Sequence, residues 1–300
     1  MYDCIIVGAG TAGLTAAIYL RRASKKVLVL EAKSYGGQIV NTLNIENYPA
    51  EPHISGFDFA TKLYNQAKEL GAEIKFEKVI NLEDNNTSKY VITSNNKYET
   101  KTIILATGSD NRKLGIENED ELTGKGISYC ATCDGAFYKG KTVAVVGGGN
   151  TALEDALYLS DIAEKVYLIH RRNEFRGEEA TVNKLKEKSN VEIIYNSNIT
   201  KLVSNNKLES IEVTNNNGSV NNIKVDGLFV AVGRIPENQN FASIINLDNN
   251  GYVIANEDCN TNVPGIFVAG DNRVKKVRQL VTAASDGAVA ATEAIKYISK

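Results

Sequence analysis

The residues best suited to chemistry are Cys130 and Cys133, which stand three positions apart and are followed at once by Asp134. This spacing serves dithiol exchange, a structural disulfide or half of a zinc site. A closed zinc site needs four ligands, but the sequence has no second Cys-x-x-Cys or His-x-x-His pair, and Cys4 and Cys259 fit isolated apolar thiols. We therefore expect a redox dithiol and no metal. Asp134 suits either an Asp-Gly turn or proton delivery to a leaving thiolate.

A glycine-rich fingerprint near the N-terminus predicts a nucleotide site. An apolar strand pattern at 2–7 precedes it, a helical pattern follows it, and its positions are Gly8, Gly10, Ala12 and Gly13. Glycines there allow a tight turn and a close approach to a pyrophosphate, whose charge meets unpaired N–H groups at the helix start. Glu31, which lies 23 residues after Gly8, ends the next strand pattern. Its carboxylate can accept hydrogen bonds from a ribose diol, which favours an adenosine without a 2′-phosphate.

The same pattern recurs after the dithiol and predicts a second nucleotide site. A strand pattern at 143–146 leads into Gly147, Gly149, Asn150, Thr151 and Ala152, and then into a helix. His170 lies 23 residues after Gly147, where the first site has its acid, and it is accompanied by Arg171, Arg172 and Arg176. A carboxylate repels a 2′-phosphate, whereas guanidinium groups bind it through charge-assisted hydrogen bonds. The second site is therefore predicted to take NADP.

Composition limits the class of protein. A length of 300 residues suits about two domains. The formal net charge of −2 and the pI near 5.9 give no support for a nucleic-acid or anionic-membrane partner. The chain enters its first strand at residue 2 without a leader-like segment, and no apolar run approaches the ~20 residues of a membrane span. We expect a soluble, cytoplasmic protein.

The order of the patterns indicates an interrupted duplication. Each strand–helix–strand unit is followed by a further helical pattern and then by short strand patterns, which are separated by turns such as Asp84-Asn85-Asn86. The first series of strand patterns ends at Ala106-Thr107-Gly108, and the second ends at Ala231-Val232-Gly233. Such alternation predicts an α/β fold with two Rossmann-like three-layer domains, each carrying a β-meander crossover. The C-terminal tail is too short for a domain of its own. We therefore assign 1–112 and 242–300 to a discontinuous first domain, and 113–241 to a second domain inserted into it.

Over nearly its whole length the chain resembles the bacterial-type, low-molecular-weight thioredoxin reductases, which depend on FAD and NADPH. Besides both fingerprints and the dithiol segment, the resemblance rests on Gly36-Gly37-Gln38, Asn47-Tyr48-Pro49, His170-Arg171-Arg172 with Arg176, Gly233-Arg234-Ile235-Pro236, Gly270-Asp271 and Arg278-Gln279. The departures are Thr11, where many relatives have proline, Asn272, where a small apolar residue is common, and Ala152, which ends the second fingerprint. Alanine is allowed at that last position, so neither nucleotide is put in doubt.

The resemblance implies a role for each motif. Gly8, Gly10, Ala12, Gly13 and Glu31 would hold the adenosine and pyrophosphate of FAD, and the flavin end would meet Gly37, Gln38, Asn47, Asp271, Arg278 and Gln279. Gly108 is a further expected cofactor contact. The pyrophosphate of NADPH would lie on Gly147, Gly149, Asn150, Thr151 and Ala152, with His170, Arg171, Arg172 and Arg176 around the 2′-phosphate.

The resemblance also implies the reaction. Hydride would pass from NADPH to FAD and then to a Cys130–Cys133 disulfide, with Cys133 facing the flavin, Asp134 handling the proton and Cys130 attacking the disulfide of thioredoxin or a thioredoxin-like protein. The NADPH domain would rotate between the two half-reactions, and the enzyme would be a homodimer.

Other functions stay open from the sequence. One alternative is a flavin-dependent reductase or oxidase of this fold that acts on another small redox protein, a low-molecular-weight disulfide or oxygen. A second is a non-catalytic nucleotide-binding or metal-bound protein that uses the cysteines as a clip. Ferredoxin-dependent flavoproteins of this fold lack the second fingerprint and its arginines, which this chain keeps, so NADPH is favoured.

Overall fold

The structure, a computed structural model, describes residues 1–42, 44–85 and 88–300. Asn86, in the turn that the sequence predicts after Asp84, lies outside the described residues. The chain forms two compact units: unit 1 is 1–110 with 235–300, and unit 2 is 111–234.

Strands and helices follow the chain in a regular order. Up to the first connection they are β1 (Tyr2–Val7), α1 (Thr11–Arg22), β2 (Val27–Glu31), a 3-10 helix at Gly37–Asn41, α2 (Gly56–Glu69), β3 (Glu73–Phe76), β4 (Val79–Asp84), β5 (Lys89–Thr93), β6 (Lys97–Leu105) and β7 (Ser109–Asn111). Then come α3 (Glu119–Leu122), β8 (Ile127–Ser128), α4 (Ala131–Asp134), a 3-10 helix at Gly135–Tyr138, β9 (Thr142–Gly147), α5 (Asn150–Ser160), β10 (Lys165–Ile169), α6 (Glu179–Glu187), β11 (Val191–Ile194), β12 (Ser197–Asn205), β13 (Lys207–Asn215), β14 (Val220–Lys224) and β15 (Gly227–Ala231). The chain closes with β16 (Arg234–Pro236), a 3-10 helix at Gln239–Phe241, β17 (Ile266–Val268) and α7 (Leu280–Ile298).

Unit 1 is built on a parallel sheet in the order β3-β2-β1-β6-β17. β5 pairs antiparallel with the first residues of β6, and β4 with β5, which makes the meander. Ile6 and Ile104 pack in a cluster with α1 and α7, whereas Ile5 and Ile103 pack in a cluster with the meander. Both faces of the sheet are thus covered, which is why its strands are apolar almost throughout.

Unit 2 repeats this plan with a parallel sheet in the order β11-β10-β9-β15-β8 and a separate antiparallel meander, β12-β13-β14. Val145 and Leu168 pack towards α5 and α6, and Val146 and Leu228 pack towards the meander residue Ile211. The predicted α/β fold is therefore confirmed: two Rossmann-like three-layer domains with β-meander crossovers, the second inserted into the first.

The second connection between the units lies earlier in the chain than expected. Asn238 is fully buried within unit 1. Its Nδ2 donates to the carbonyl oxygens of Gly251 at 2.9 Å and Asn272 at 2.8 Å, and its Oδ1 accepts from the Thr107 hydroxyl at 3.1 Å. Because these bonds hold the segment after β16 in unit 1, the connection falls at 234/235 rather than at 241/242.

Candidate active site

Cys130 and Cys133 are joined in a disulfide in unit 2. Cys130 is the residue before α4 and Cys133 lies within it, and both are partly buried. Between them Ala131, only 1% exposed, packs in the core with Val143 and Phe229. The packing of Ala131 thus holds the disulfide at the surface of unit 2, which also carries the second fingerprint.

Asp134 is bonded closely to the dithiol turn. Its backbone N–H donates to the Cys130 carbonyl at 3.1 Å, and its Oδ2 accepts from the hydroxyl of Ser128 at 2.6 Å. The Cys130 N–H in turn donates to the Ser128 Oγ at 3.1 Å. Burial raises the pKa of Asp134, and the Ser128 hydrogen bond opposes that rise. A carboxyl group with a raised pKa keeps its proton to a higher pH than usual, which suits it to exchange a proton with the neighbouring dithiol.

In the first fingerprint two glycines are required by packing and one faces open space. A Cβ on Gly8 would overlap the Ala106 carbonyl, and one on Gly13 would overlap the Gly8 carbonyl. A Cβ on Gly10 would meet nothing closer than 4.0 Å. Gly10 precedes α1, whose first N–H groups receive no side-chain cap. The open, uncapped helix start fits a pyrophosphate.

Two further predicted residues border this loop. Glu31 points back at it, because its Oε2 accepts from the Ala9 N–H at 2.8 Å. Gly37 also lies against the loop, since a Cβ there would be 3.5 Å from the Gly10 Cα. The next residue, Gln38, donates to Asp110 at 2.6 Å. The structure thus brings the second strand end and the Gly36-Gly37-Gln38 segment to the first fingerprint.

Residues predicted for the flavin end come together from distant parts of unit 1. The Asn47 amide donates to Gln279 at 3.3 Å, and the Arg278 guanidinium donates to the Asp271 carbonyl at 3.4 Å. A Cβ on Gly270 would lie 3.0 Å from the Cβ of Ala12, so Asp271 begins beside the first fingerprint. Gly108 follows β6 with φ +68°, and a Cβ there would meet nothing within 4 Å.

A buried ion cluster, which we call the Asp286 cluster, consists of Asp286, Arg273 and Lys275 and supports this end of unit 1. The Asp286 carboxylate accepts from Arg273 Nε and Nη2 at 2.8 Å, from Lys275 Nζ at 2.9 Å and from the Gly270 N–H at 2.9 Å. Burial alone would raise the pKa of Asp286, but the hydrogen bonds from Arg273 and Lys275 outweigh it, so the pKa falls below its usual range. The cluster fixes the turn that presents Asp271.

The second fingerprint repeats the arrangement of the first. A Cβ on Gly147 would overlap the Ala231 carbonyl and Ala152, whereas one on Gly149 would meet nothing within 4 Å. Gly149 precedes α5, whose start also lacks a side-chain cap. Asn150 at the helix start accepts from the Glu178 N–H at 2.7 Å, and the neighbouring Thr151 is exposed. This loop therefore also fits a pyrophosphate.

His170 and the arginines after β10 have different environments. Arg171, Arg172 and Arg176 are exposed, whereas His170 is 4% exposed. Its Nε2 lies 2.9 Å from the Glu174 carbonyl, and a Cβ on Gly148 would overlap its ring. Burial lowers the pKa of His170 more than its backbone hydrogen bonds raise it. The neutral ring thus packs against the glycine loop. Its contact with the 2′-phosphate stays a prediction, and the burial of the ring disfavours that contact.

Sequence reasoning missed Ser128 and the Asp286 cluster. A signal for Ser128 was present, because a hydroxyl two residues before a backbone N–H often accepts from it. The only signal for Asp286 was an acid in a helix of small residues, Ala283-Ala284-Ser285-Asp286-Gly287.

Within the described residues, no group of three or more histidine, cysteine or acidic side chains is arranged to hold a metal ion. Cys4 and Cys259 are buried free thiols. In the same part of the chain, no helix combines the length and apolarity needed to cross a bilayer.

Known proteins are similar to this chain over its full length. Residues 2–288 match the pyridine nucleotide-disulphide oxidoreductase family. The thioredoxin reductase of Listeria monocytogenes is 41% identical over 302 residues, which cover 100% of this chain and 95% of that protein. The crystal structure of thioredoxin reductase from Streptococcus pyogenes matches with a TM-score of 0.95 and 37% identity, covering 100% of this chain and 98% of that one. That of Lactococcus lactis, described as the FR conformation, matches with a TM-score of 0.70 and 38% identity, covering 100% and 99%. The chain belongs to the pyridine nucleotide-disulphide oxidoreductase family.

Proposed function

We propose that this protein is an NADPH-dependent thioredoxin-disulfide reductase. The observation that carries the proposal is the Cys130–Cys133 disulfide beside Asp134, in the unit that also holds the second fingerprint. Similarity over the whole chain to proteins named thioredoxin reductase supports the choice of acceptor.

Membership of the family brings a flavin and a pyridine nucleotide, and we propose FAD in unit 1 and NADPH in unit 2. In unit 1, Glu31 adjoins the first fingerprint, and a carboxylate there accepts from a ribose diol but repels a 2′-phosphate. In unit 2, exposed Arg171, Arg172 and Arg176 offer the guanidinium groups that bind such a phosphate. When bound, the two nucleotides supply the two electrons that open the disulfide.

The chain's own residues then carry out thiol exchange. With two electrons and two protons the disulfide becomes a dithiol, and Asp134 is placed to handle one of those protons. The Cys130 thiolate attacks one sulfur of the thioredoxin disulfide, which forms a mixed disulfide and releases the other sulfur as a thiolate. Cys133 next attacks the Cys130 sulfur, which restores the intramolecular disulfide and frees reduced thioredoxin.

We further propose that the unit carrying the dithiol rotates during turnover. The dithiol belongs to unit 2, whereas the residues assigned to FAD belong to unit 1, and the chain passes between the units twice. Rotation about two connections lets one dithiol serve the flavin and a protein partner in turn. By resemblance to the bacterial enzymes, we propose a homodimer that works in the cytoplasm.

Anaerobic absorbance spectra and acceptor assays test the function. The purified yellow protein should lose its flavin absorbance on addition of NADPH and should reduce thioredoxin. Cys133→Ser should keep the NADPH-driven bleaching and lose thioredoxin reduction, whereas Cys4→Ala, which changes a buried thiol in β1, should keep both. Turnover of thioredoxin by Cys133→Ser at the native rate would contradict the dithiol assignment. Faster turnover with a low-molecular-weight disulfide or oxygen than with thioredoxin would contradict the choice of acceptor.

A further inference from the structure

Ser128 is a buried hydroxyl placed between the backbone of Cys130 and the Asp134 carboxyl group. It is 4% exposed and ends β8, where it pairs with Phe229 of β15 in the parallel sheet. Strand pairing and burial therefore hold its side chain in place. Its Oγ is 2.6 Å from Asp134 Oδ2 and 3.1 Å from the Cys130 nitrogen.

A count of hydrogens assigns the direction of these bonds. A serine hydroxyl has one hydrogen to donate. When Asp134 is ionised, that hydrogen goes to the carboxylate at 2.6 Å, and Oγ accepts the Cys130 N–H. When Asp134 is protonated, its own hydrogen can go to Oγ, and the serine hydrogen can turn to the Cys130 carbonyl, 3.3 Å away. The protonation state of Asp134 is thereby linked to the backbone of the first cysteine.

The neighbouring charges leave Ser128 as the main polar influence on Asp134. Burial raises the pKa of Asp134, and the hydrogen bond from Ser128 lowers it. Tyr138, in the following 3-10 helix, has a pKa raised by burial and then by Asp134 and Asp226. From α5, Tyr158 and Leu159 pack on Gly135. No lysine or arginine of the described residues contributes to the Asp134 shift.

We propose that Ser128 is a positioning residue that links the Asp134 carboxyl group to the Cys130 backbone and sets the pH range in which that group exchanges a proton with the dithiol. The proposal rests on the proposed function, because it assigns Ser128 a part in dithiol exchange. Donation to the carboxylate favours the ionised form, so loss of the hydroxyl extends the protonated form of Asp134 to higher pH.

Alkylation of the reduced holoenzyme by iodoacetamide, measured between pH 5 and 9, tests the proposal without any protein acceptor. Ser128→Ala should move the inflection that Asp134 imposes on the alkylation profile to higher pH, because the two titrations are coupled. In a parallel assay, thioredoxin reduction at pH 7 should slow by about tenfold or more, the factor that corresponds to the loss of one hydrogen bond to a charged group. Ser128→Thr, which restores the hydroxyl, should return the profile towards that of the native protein.

Ser160→Ala is the matched control, because Ser160 is 7% exposed in the same unit and donates to the Leu157 carbonyl at 2.6 Å. Its alkylation profile should match the native one. An unshifted inflection in Ser128→Ala, or an equal shift in Ser160→Ala, would overturn the role of Ser128. If Ser128→Ala shifts the profile while the native enzyme does not reduce thioredoxin, Ser128 keeps its role and the proposed acceptor is wrong.

Discussion

Replacing Asp286 with asparagine tests how much the buried Asp286 cluster stabilises unit 1. The side chains of Asp286, Arg273 and Lys275 are only 6–8% exposed, and one carboxylate balances two cations. Asparagine keeps the volume but removes the charge, so both buried cations lose the carboxylate to which they are bonded. Removal of one partner of a buried ion pair costs about 3–5 kcal/mol. For a unit of this size, that loss corresponds to a fall in Tm of roughly 6–20 °C.

The dependence on pH gives the same prediction a second test. Because the folded-state pKa of Asp286 lies below its ordinary value of 3.8, its contribution to stability is complete above that value and is lost as pH falls through the lower, folded-state pKa. The stability difference between the native protein and Asp286→Asn should therefore be constant from pH 8 to 5 and should shrink in stronger acid.

Thermal unfolding at several pH values, with FAD bound, measures both effects. Asp161→Asn is the control, because the Asp161–Lys188 pair is exposed, with side-chain exposures of 66% and 36%. Loss of such a surface pair costs about 0–1 kcal/mol. A Tm of Asp286→Asn at pH 7 that falls no further than that of Asp161→Asn would contradict the stabilising role of the Asp286 cluster.

Three further predictions concern the nucleotide sites and the thiols. Arg171→Ala and Arg172→Ala should raise the Kd of NADPH, measured by titration calorimetry, far more than the Kd of NADH. His170→Asn, which changes the ring packed against Gly148, should raise both Kd values to a similar degree. Equal effects of the arginine variants on the two nucleotides would contradict the assignment of the phosphate site. Gly13→Ala should purify with little flavin, because its Cβ would overlap the Gly8 carbonyl, and a normal ratio of flavin to protein absorbance would contradict this. Burial raises the pKa of Cys4 and of Cys259 to about 12, so neither thiol should react quickly at pH 8. A thiol-reactive dye should therefore label no cysteine quickly in the oxidised protein and two after reduction by NADPH. Rapid labelling of four cysteines would contradict the burial of Cys4 and Cys259.

Much of the site could be predicted because its signals are local. A fingerprint occupies a few consecutive residues whose glycines are demanded by their immediate backbone environment, as at Gly13 and Gly147. The spacing of Cys130 and Cys133 likewise allows their disulfide within one turn. The order of strand and helix patterns was enough to predict the duplicated fold, because apolar strands covered on both faces require helices and a meander around them.

What the sequence alone determined was therefore the set of chemical parts: a dithiol, two nucleotide loops, an acid after one and arginines after the other. Which of these parts meet depends on how the chain packs in three dimensions. Asn47 reaches Gln279 across 232 residues, and Asp286 gathers Arg273, Lys275 and Gly270. The fifth strand of the parallel sheet comes from a different part of the chain in each unit. In unit 1 it is β17, which follows all the other strands of its sheet. In unit 2 it is β8, which precedes the second fingerprint. His170 lies beneath its glycine loop rather than with the exposed arginines. The physical reason is that burial and long-range pairing depend on how whole elements pack, which no local spacing records.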